Sequence, residues 1–253
     1  MTNPEQTMAA LPAVHGIIPA RYASTRFPGK PLAMLRGKPM FWHVWRRASQ
    51  CPDLASVTLA TDDGRILSAA KELDVPVLLT SGAHQSGTDR VHEAARLLQL
   101  PENCVVVNIQ GDEPALDPHV FTGLLQVFQN PEVRVATLAH RIGEEDLQRP
   151  DTVKVVLDTG GNALYFSRAP IPYAQGARRE SPILGHIGLY AFTMQTLERF
   201  VGLPPSPLEL TENLEQLRLL ENGIPIRVVL TEKEFCGVDR REDIEKVLPL
   251  LGD

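Results

Sequence analysis

Short apolar runs alternate with stretches of helical period along this chain. Residues 14–19, 57–60, 75–80 and 105–110 read as strands, and so do 133–140, 153–157, 187–192 and 226–230. Several are near-continuous in Val, Ile or Leu, the pattern of strands buried on both faces of a parallel sheet. Residues 39–49, 65–73, 89–98 and 118–129 carry the helical period between them. This alternation predicts an α/β fold with a mainly parallel sheet flanked by helices. Ligands in such folds bind at the carboxyl ends of the strands. No repeat or low-complexity linker divides the chain, so residues 1–253 read as one domain with 1–13 as a flexible tail. Residues 159–185, rich in Gly, Pro and Arg, read as an insertion suited to an acceptor site or a dimer contact.

Composition narrows the classes of partner. The chain is 43% hydrophobic and 22% charged, with a net charge of −6. A molecule of that sign repels nucleic acid, so any basic cluster must act locally on a small anion. Cys51, Cys104 and Cys236 lie far apart with no C-x-x-C pair, which argues against a zinc site and a disulfide framework. Residues 1–13 hold no Lys or Arg and no long apolar run, so no signal peptide is expected. No segment approaches the roughly 18 apolar residues of a membrane helix. A cytoplasmic location without membrane partners is the expectation.

The segment 17–32, IIPARYASTRFPGKPL, joins the first strand to a loop with Arg21, Arg26 and Lys30 among Ser24, Thr25 and Gly29. Arg binds phosphate through a planar fork and Lys as a point charge, so this loop is a candidate polyphosphate cradle. Its spacing is not that of a P-loop. The segment resembles the signature of sugar-activating nucleotidyltransferases. Together with HQSGTDR (84–90), NIQGDEP (108–114), ALYFSRAPIP (163–172), GHIGLY (185–190), PSPLE (205–209), LEQLRLLENG (214–223) and VDRRED (238–243), it is similar to the CMP-KDO synthetase family. That family comprises the 3-deoxy-manno-octulosonate (KDO) cytidylyltransferases. The resemblance covers roughly residues 14–248. It implies a Rossmann-like nucleotidyltransferase fold, a homodimer and Mg²⁺ as cofactor. The implied reaction is transfer of CMP from CTP to the anomeric hydroxyl of KDO, releasing pyrophosphate, for lipopolysaccharide biosynthesis.

Each candidate residue has a structural reading beside the chemical one. Asp112 follows Gly111 at a strand end and suits either an Asx turn or a Mg²⁺ ligand. Asp239 with Glu242 reads as a helix N-cap pair, the helix continuing through Ile244, Val247, Leu248 and Leu251. The resemblance implies that Asp112 and Asp239 hold the metal, with Arg21, Lys30 and Asp112 catalytic. Arg240 and Arg241 stand where the family's pattern has Thr-Pro, putting two cations beside that site. Ser86 and Asp89 have capping-box spacing. The resemblance places Ser86, Gly87, Thr88 and Arg90 near the nucleotide base and sugar, and Ser24 and Arg26 on substrate. For the acceptor, Arg168 suits a carboxylate. His186 and Tyr190, four apart, share one face of a strand. Ser206 to Glu209 is a capping box opening a helix to about Asn222, with Gly223 as stop and Leu210, Leu214 and Leu217 as its buried stripe. Glu215 and Gln216 fall off that stripe, and the resemblance gives them, with Gln110, to the sugar.

No G-x-G-x-x-G follows a strand and no G-x-S-x-G is present, which disfavours a nicotinamide enzyme and an α/β-hydrolase. The alternatives are a cytidylyltransferase for 8-amino-KDO or sialic acid, and a non-catalytic nucleotide-binding protein.

Overall fold

The computed structural model describes residues 10–23, 27–176, 180–233 and 235–251. Its strands are β1 (Val14–Ala20), β2 (Met34–Leu35), β3 (Lys38–Pro39), β4 (Ser56–Thr61), β5 (Val77–Leu79), β6 (Val105–Asn108), β7 (Val135–Arg141), β8 (Lys154–Leu157), β9 (Ala163–Ser167), β10 (Leu184–Thr193) and β11 (Arg227–Leu230). Its helices are α1 (Met40–Ala48), α2 (Gly64–Glu72), α3 (Gly87–Leu97), α4 (His119–Gln126), α5 (Glu144–Leu147), α6 (Met194–Gly202), α7 (Pro207–Glu212), α8 (Leu217–Glu221) and α9 (Asp243–Val247).

The main sheet has the order β11-β7-β10-β6-β1-β4-β5, with β8 and β9 attached beside β10. β1 pairs in parallel with β4 and β6, and β11 with β7. β10 runs antiparallel to both β6 and β7. The ends of β1, β4, β6, β7 and β11 therefore lie along one edge, where β10 begins. β6 is buried along its whole length, and its residues alternate between two cores. Val105 and Val107 pack with Phe41 of α1 and Phe121 of α4, while Val106 packs with Val91 of α3 and Phe200 of α6. A strand with apolar residues on both faces needs helices on both sides, and the fold supplies them.

The strands read from the sequence all form, with ends shifted by a few residues. Two readings are corrected. β9 forms inside 159–185, where no strand is read, and pairs antiparallel with β8. The helix read from Ser206 to about Asn222 is two helices. Asn213 takes a left-handed conformation with φ of 53° and ends α7. Leu210 is 70% exposed, whereas Leu214 and Leu217 are buried. The break occurs because α7 folds back on α8 through a pair of charge-assisted bonds from Arg218 to Glu209.

Candidate active site

β1 delivers the chain to Arg21 at the carboxyl edge. Gly29 lies at φ of +71°, a conformation that suits glycine, and a Cβ there would meet the Tyr22 ring at 3.1 Å. Its N–H donates to Tyr22 O at 2.9 Å. The Arg65 guanidinium, paired with Asp63, lies 3.2 Å from the centroid of that ring. The 3₁₀ turn Lys30–Leu32 follows at once, and Lys30 Nζ reaches Asp112 Oδ2 at 2.8 Å and Asp239 Oδ1 at 3.7 Å.

Asp112 is thus paired with Lys30 rather than closing an Asx turn. Gly111 allows this approach, since a Cβ there would lie 3.0 Å from Pro19 O. Asp112 O accepts from Val238 N–H at 2.9 Å, and Val238 is fully buried in the small core with Phe27 and Met40. That anchor brings the next residue, Asp239, beside Lys30. The expected Asp239–Glu242 cap does not form. Asp243 takes the role instead, its carboxylate accepting from the N–H groups of Asp239 and Arg240 at 3.2 and 2.9 Å. Arg241 lies over the Phe27 ring at 5.2 Å, and exposed Arg240 lies 4.0 Å from Glu242.

Glu113 completes the acidic group. Burial, then the charges of Asp112 and Asp239, push its carboxyl up to about 8, against pulls from the Cys236 backbone and Lys30. Its Oε2 is buried with no hydrogen-bond partner among the described residues. Among those residues no group of three or more His, Cys, Asp or Glu is arranged to hold a metal. Two convergent carboxylates suit a Mg²⁺ ion that takes its other oxygens from phosphates and water. Asp112 and Asp239 both approach Lys30, so a cation is already accommodated between them.

The opposite wall comes from α3. Ser86 and Asp89 form the capping box, which makes the loop rigid where it meets the site. Arg21 Nη1 donates to Gln85 O at 3.1 Å, and its Nη2 is buried with no partner among the described residues. Burial, then Arg90, lowers the Arg21 pKa, partly offset by Asp62, Asp89 and Glu215. Thr88 Oγ1 donates to Glu215 and accepts from Asn108 Nδ2 at 3.3 Å. Burial raises the Glu215 carboxyl, partly offset by bonds from Thr88 and Ser86. His186 and Tyr190 do share a face, their ring centroids 5.3 Å apart. The His186 ring bonds Thr137 Oγ1 at 3.0 Å, and burial lowers its pKa to about 3. Gln110 Nε2 donates to Gly188 O at 2.8 Å, fixing the bulged middle of β10.

A cytidylyltransferase family profile matches residues 15–233. A 3-deoxy-manno-octulosonate cytidylyltransferase of Oleidesulfovibrio alaskensis is 59% identical over 242 residues, covering 95% of this chain and 97% of the relative. One of the same name from Nitratidesulfovibrio vulgaris is 58% identical, covering 97% and 99%. The chain belongs to the 3-deoxy-manno-octulosonate cytidylyltransferase family. A solved structure of CMP:2-keto-3-deoxy-manno-octonic acid synthetase complexed with CTP superposes with a TM-score of 0.89 at 41% identity, covering 94% of this chain and 98% of that one. The α/β reading with a mostly parallel sheet stands.

Within this cytidylyltransferase fold, two of the candidate arginines also bond to the protein itself. Arg90 is fully buried, its guanidinium bonded to Thr80 Oγ1, Ser81 O and Asp62 Oδ2. It braces α3 against the ends of β4 and β5, with its Nε unpartnered among the described residues. Arg168 donates to three main-chain carbonyls, Glu212 O at 3.0 Å, Pro150 O at 3.0 Å and Asn213 O at 3.4 Å. Its fork is engaged by the protein itself. Gln216 is buried, with its Nε2 unpartnered among the described residues. Ser24 and Arg26 lie outside the described residues. Glu113 and Asn108 are site residues that sequence reasoning passed over. Asn108 has a legible signal, an amide ending the apolar run CVVVNI. Glu113 has none, since its burial depends on the distant segment at Gly237. No helix among the described residues is long and apolar enough to cross a membrane.

Proposed function

We propose that this protein transfers CMP from CTP to the anomeric hydroxyl of KDO, giving CMP-KDO and pyrophosphate. The observation that carries the reading is the convergence of Lys30, Asp112 and Asp239 at the carboxyl edge of the sheet, in a chain of this family.

The hydroxyl oxygen attacks the α-phosphorus in line as the bond to the β-phosphate oxygen breaks, and the hydroxyl proton passes to solvent. Lys30 and Arg21 offset charge on the phosphates, held in place before reaction so that no reorganisation is needed. Asp112 and Asp239 would hold Mg²⁺, which supplies charge neutralisation at the phosphates and acidifies the attacking hydroxyl. Ser86, Gly87 and Thr88 line the nucleotide side. Gln110, His186, Tyr190, Glu215 and Gln216 line the acceptor side, where hydroxyl-rich KDO needs both donors and acceptors. A homodimer and a cytoplasmic location belong to the same reading. Exposed Leu164 and Tyr173, 61% and 88% accessible, support a self-associating face.

The test is pyrophosphate release from CTP and Mg²⁺ with and without KDO. Release that requires KDO is expected. Release with 8-amino-KDO or sialic acid alone would replace the acceptor, and CTP binding with no release from any acid sugar would overturn the enzymatic reading.

A further inference from the structure

Helix α7 buries no apolar side chain, so the hydrophobic effect does not place it. Two of its own carboxylates do. Glu209 pairs with Arg218 of α8, through Nε at 2.7 Å and through Nη2. Glu212, its last residue, accepts from Ser167 Oγ at 2.5 Å and Arg168 N–H at 2.9 Å, both at the end of β9. The Glu212 carbonyl in turn accepts from Arg168 Nε. Arg168 is thus gripped by Glu212 through its main chain and its side chain.

Below this lies Lys154 of β8, fully buried. Its ammonium donates to three carbonyls, Arg149 O at 2.9 Å, Thr152 O at 2.6 Å and Arg168 O at 2.6 Å. A buried ammonium has three donors to satisfy, and here all three are met by main chain. Lys154 therefore fixes the 149–152 turn, which offers Pro150 O to Arg168, and fixes the Arg168 carbonyl itself. The two residues close one network from β8 through β9 to the left-handed Asn213. Glu215 and Gln216 follow two and three residues later. Asn213 also receives Arg168 Nη2 on its carbonyl, so the turn that aims Glu215 at Thr88 is held by this network on one side and by α8 on the other.

We propose that Glu212 and Lys154 are positioning residues for the acceptor, acting through Arg168 and Asn213 to set Glu215 and Gln216. This rests on the reading that Glu215 and Gln216 face the acceptor sugar. Among the described residues Glu212 and Lys154 bond to no nucleotide-side residue and reach that side only through the bond from Thr88 to Glu215, so their loss would act more strongly on acceptor binding than on CTP binding.

The experiment measures KM for KDO, KM for CTP and kcat in the wild type and in Glu212→Ala, Glu212→Gln, Lys154→Met and Glu215→Gln, with thermal stabilisation by CTP as a check on folding. Glu212→Ala should raise the KM for KDO by about tenfold or more, the scale of lost hydrogen bonds to a charged group, with a clearly smaller change in the KM for CTP. Lys154→Met should act in the same direction. Glu212→Gln should recover most of the loss, since its amide oxygen still accepts from Arg168 N–H and Ser167 Oγ can accept from its NH₂. Equal losses in both KM values, or an unchanged KM for KDO in Glu212→Ala, would overturn the proposal. If Glu215→Gln alone leaves KDO binding unaltered, the underlying reading fails instead. Should Glu212→Ala not fold, Ser167→Ala removes one bond to the same carboxylate, and the proposal stands only if that variant shows a smaller rise that is larger for KDO than for CTP.

Discussion

Lys30 Nζ lies 2.8 Å from Asp112 Oδ2, a pair joining residues 82 apart in sequence across the ends of β1 and β6. The pair is partly buried, so the geometry is fixed before any ligand arrives. Lys30→Met should therefore lower kcat by about 100-fold or more, the cost of removing one preplaced charge donor. Steady-state pyrophosphate release checks it; a rate within tenfold of wild type would remove Lys30 from the reaction.

Asp112 and Asp239 are not equivalent. Asp112 is bonded directly to Lys30 and carries the main-chain link to Val238, while Asp239 is 55% exposed in its side chain and lies at 3.7 Å. Asp239→Asn should raise the Mg²⁺ concentration for half-maximal rate and keep measurable activity at saturation. Asp112→Asn should abolish activity at any Mg²⁺ concentration. Mn²⁺ binding followed by electron paramagnetic resonance gives the same ranking without turnover.

Gly111→Ala places a Cβ 3.0 Å from Pro19 O, a backbone atom that cannot swing aside. Overpacking of this kind costs about 1–3 kcal/mol, readable in urea unfolding. Because the push acts on the junction between β1 and the phosphate loop, activity should fall further than stability accounts for.

Burial holds His186 neutral, with a pKa of about 3 against 6.5 in an unfolded chain. Between those values the unfolded chain binds the proton more readily, so stability is full above about pH 6.5 and is lost as pH falls toward 3. Comparison of wild type with His186→Gln at pH 7 and pH 5 should show a shallower loss in the variant, by up to about 2 kcal/mol. Parallel curves would mean that His186 takes up its proton equally readily in the folded and the unfolded chain.

The parts of the fold legible in the sequence are those where one signal dominates. β6 is written as an unbroken apolar run, and α3 as a capping box. β9 is hard to read because its short run ALYFS sits within the Gly-, Pro- and Arg-rich stretch 159–185, and only pairing with β8 settles it. The α7–α8 break was hidden because the leucine period continues through Asn213, and a left-handed residue leaves little trace in a periodic pattern. Lys30, Asp112 and Asp239 were legible by resemblance and converge. The protein contacts of Arg168 and Arg90 are not legible in the sequence, because an arginine in a loop motif looks the same whether it faces a ligand or the protein itself. The difference lies in long-range contacts, to Glu212 and Asn213 in one case and Asp62 in the other.

The absence of buried side chains on α7 has a thermodynamic consequence. A helix held only by polar bonds opens at a lower free energy than one set in a core, whereas β6 opens only when the whole molecule does. Amide protons of α7 will exchange with solvent ahead of those of β6. The protein thus has a stability gradient running across its cleft, and mild denaturant would loosen the wall bearing Glu215 while the strand ends bearing Arg21 and Asp112 still hold their shape.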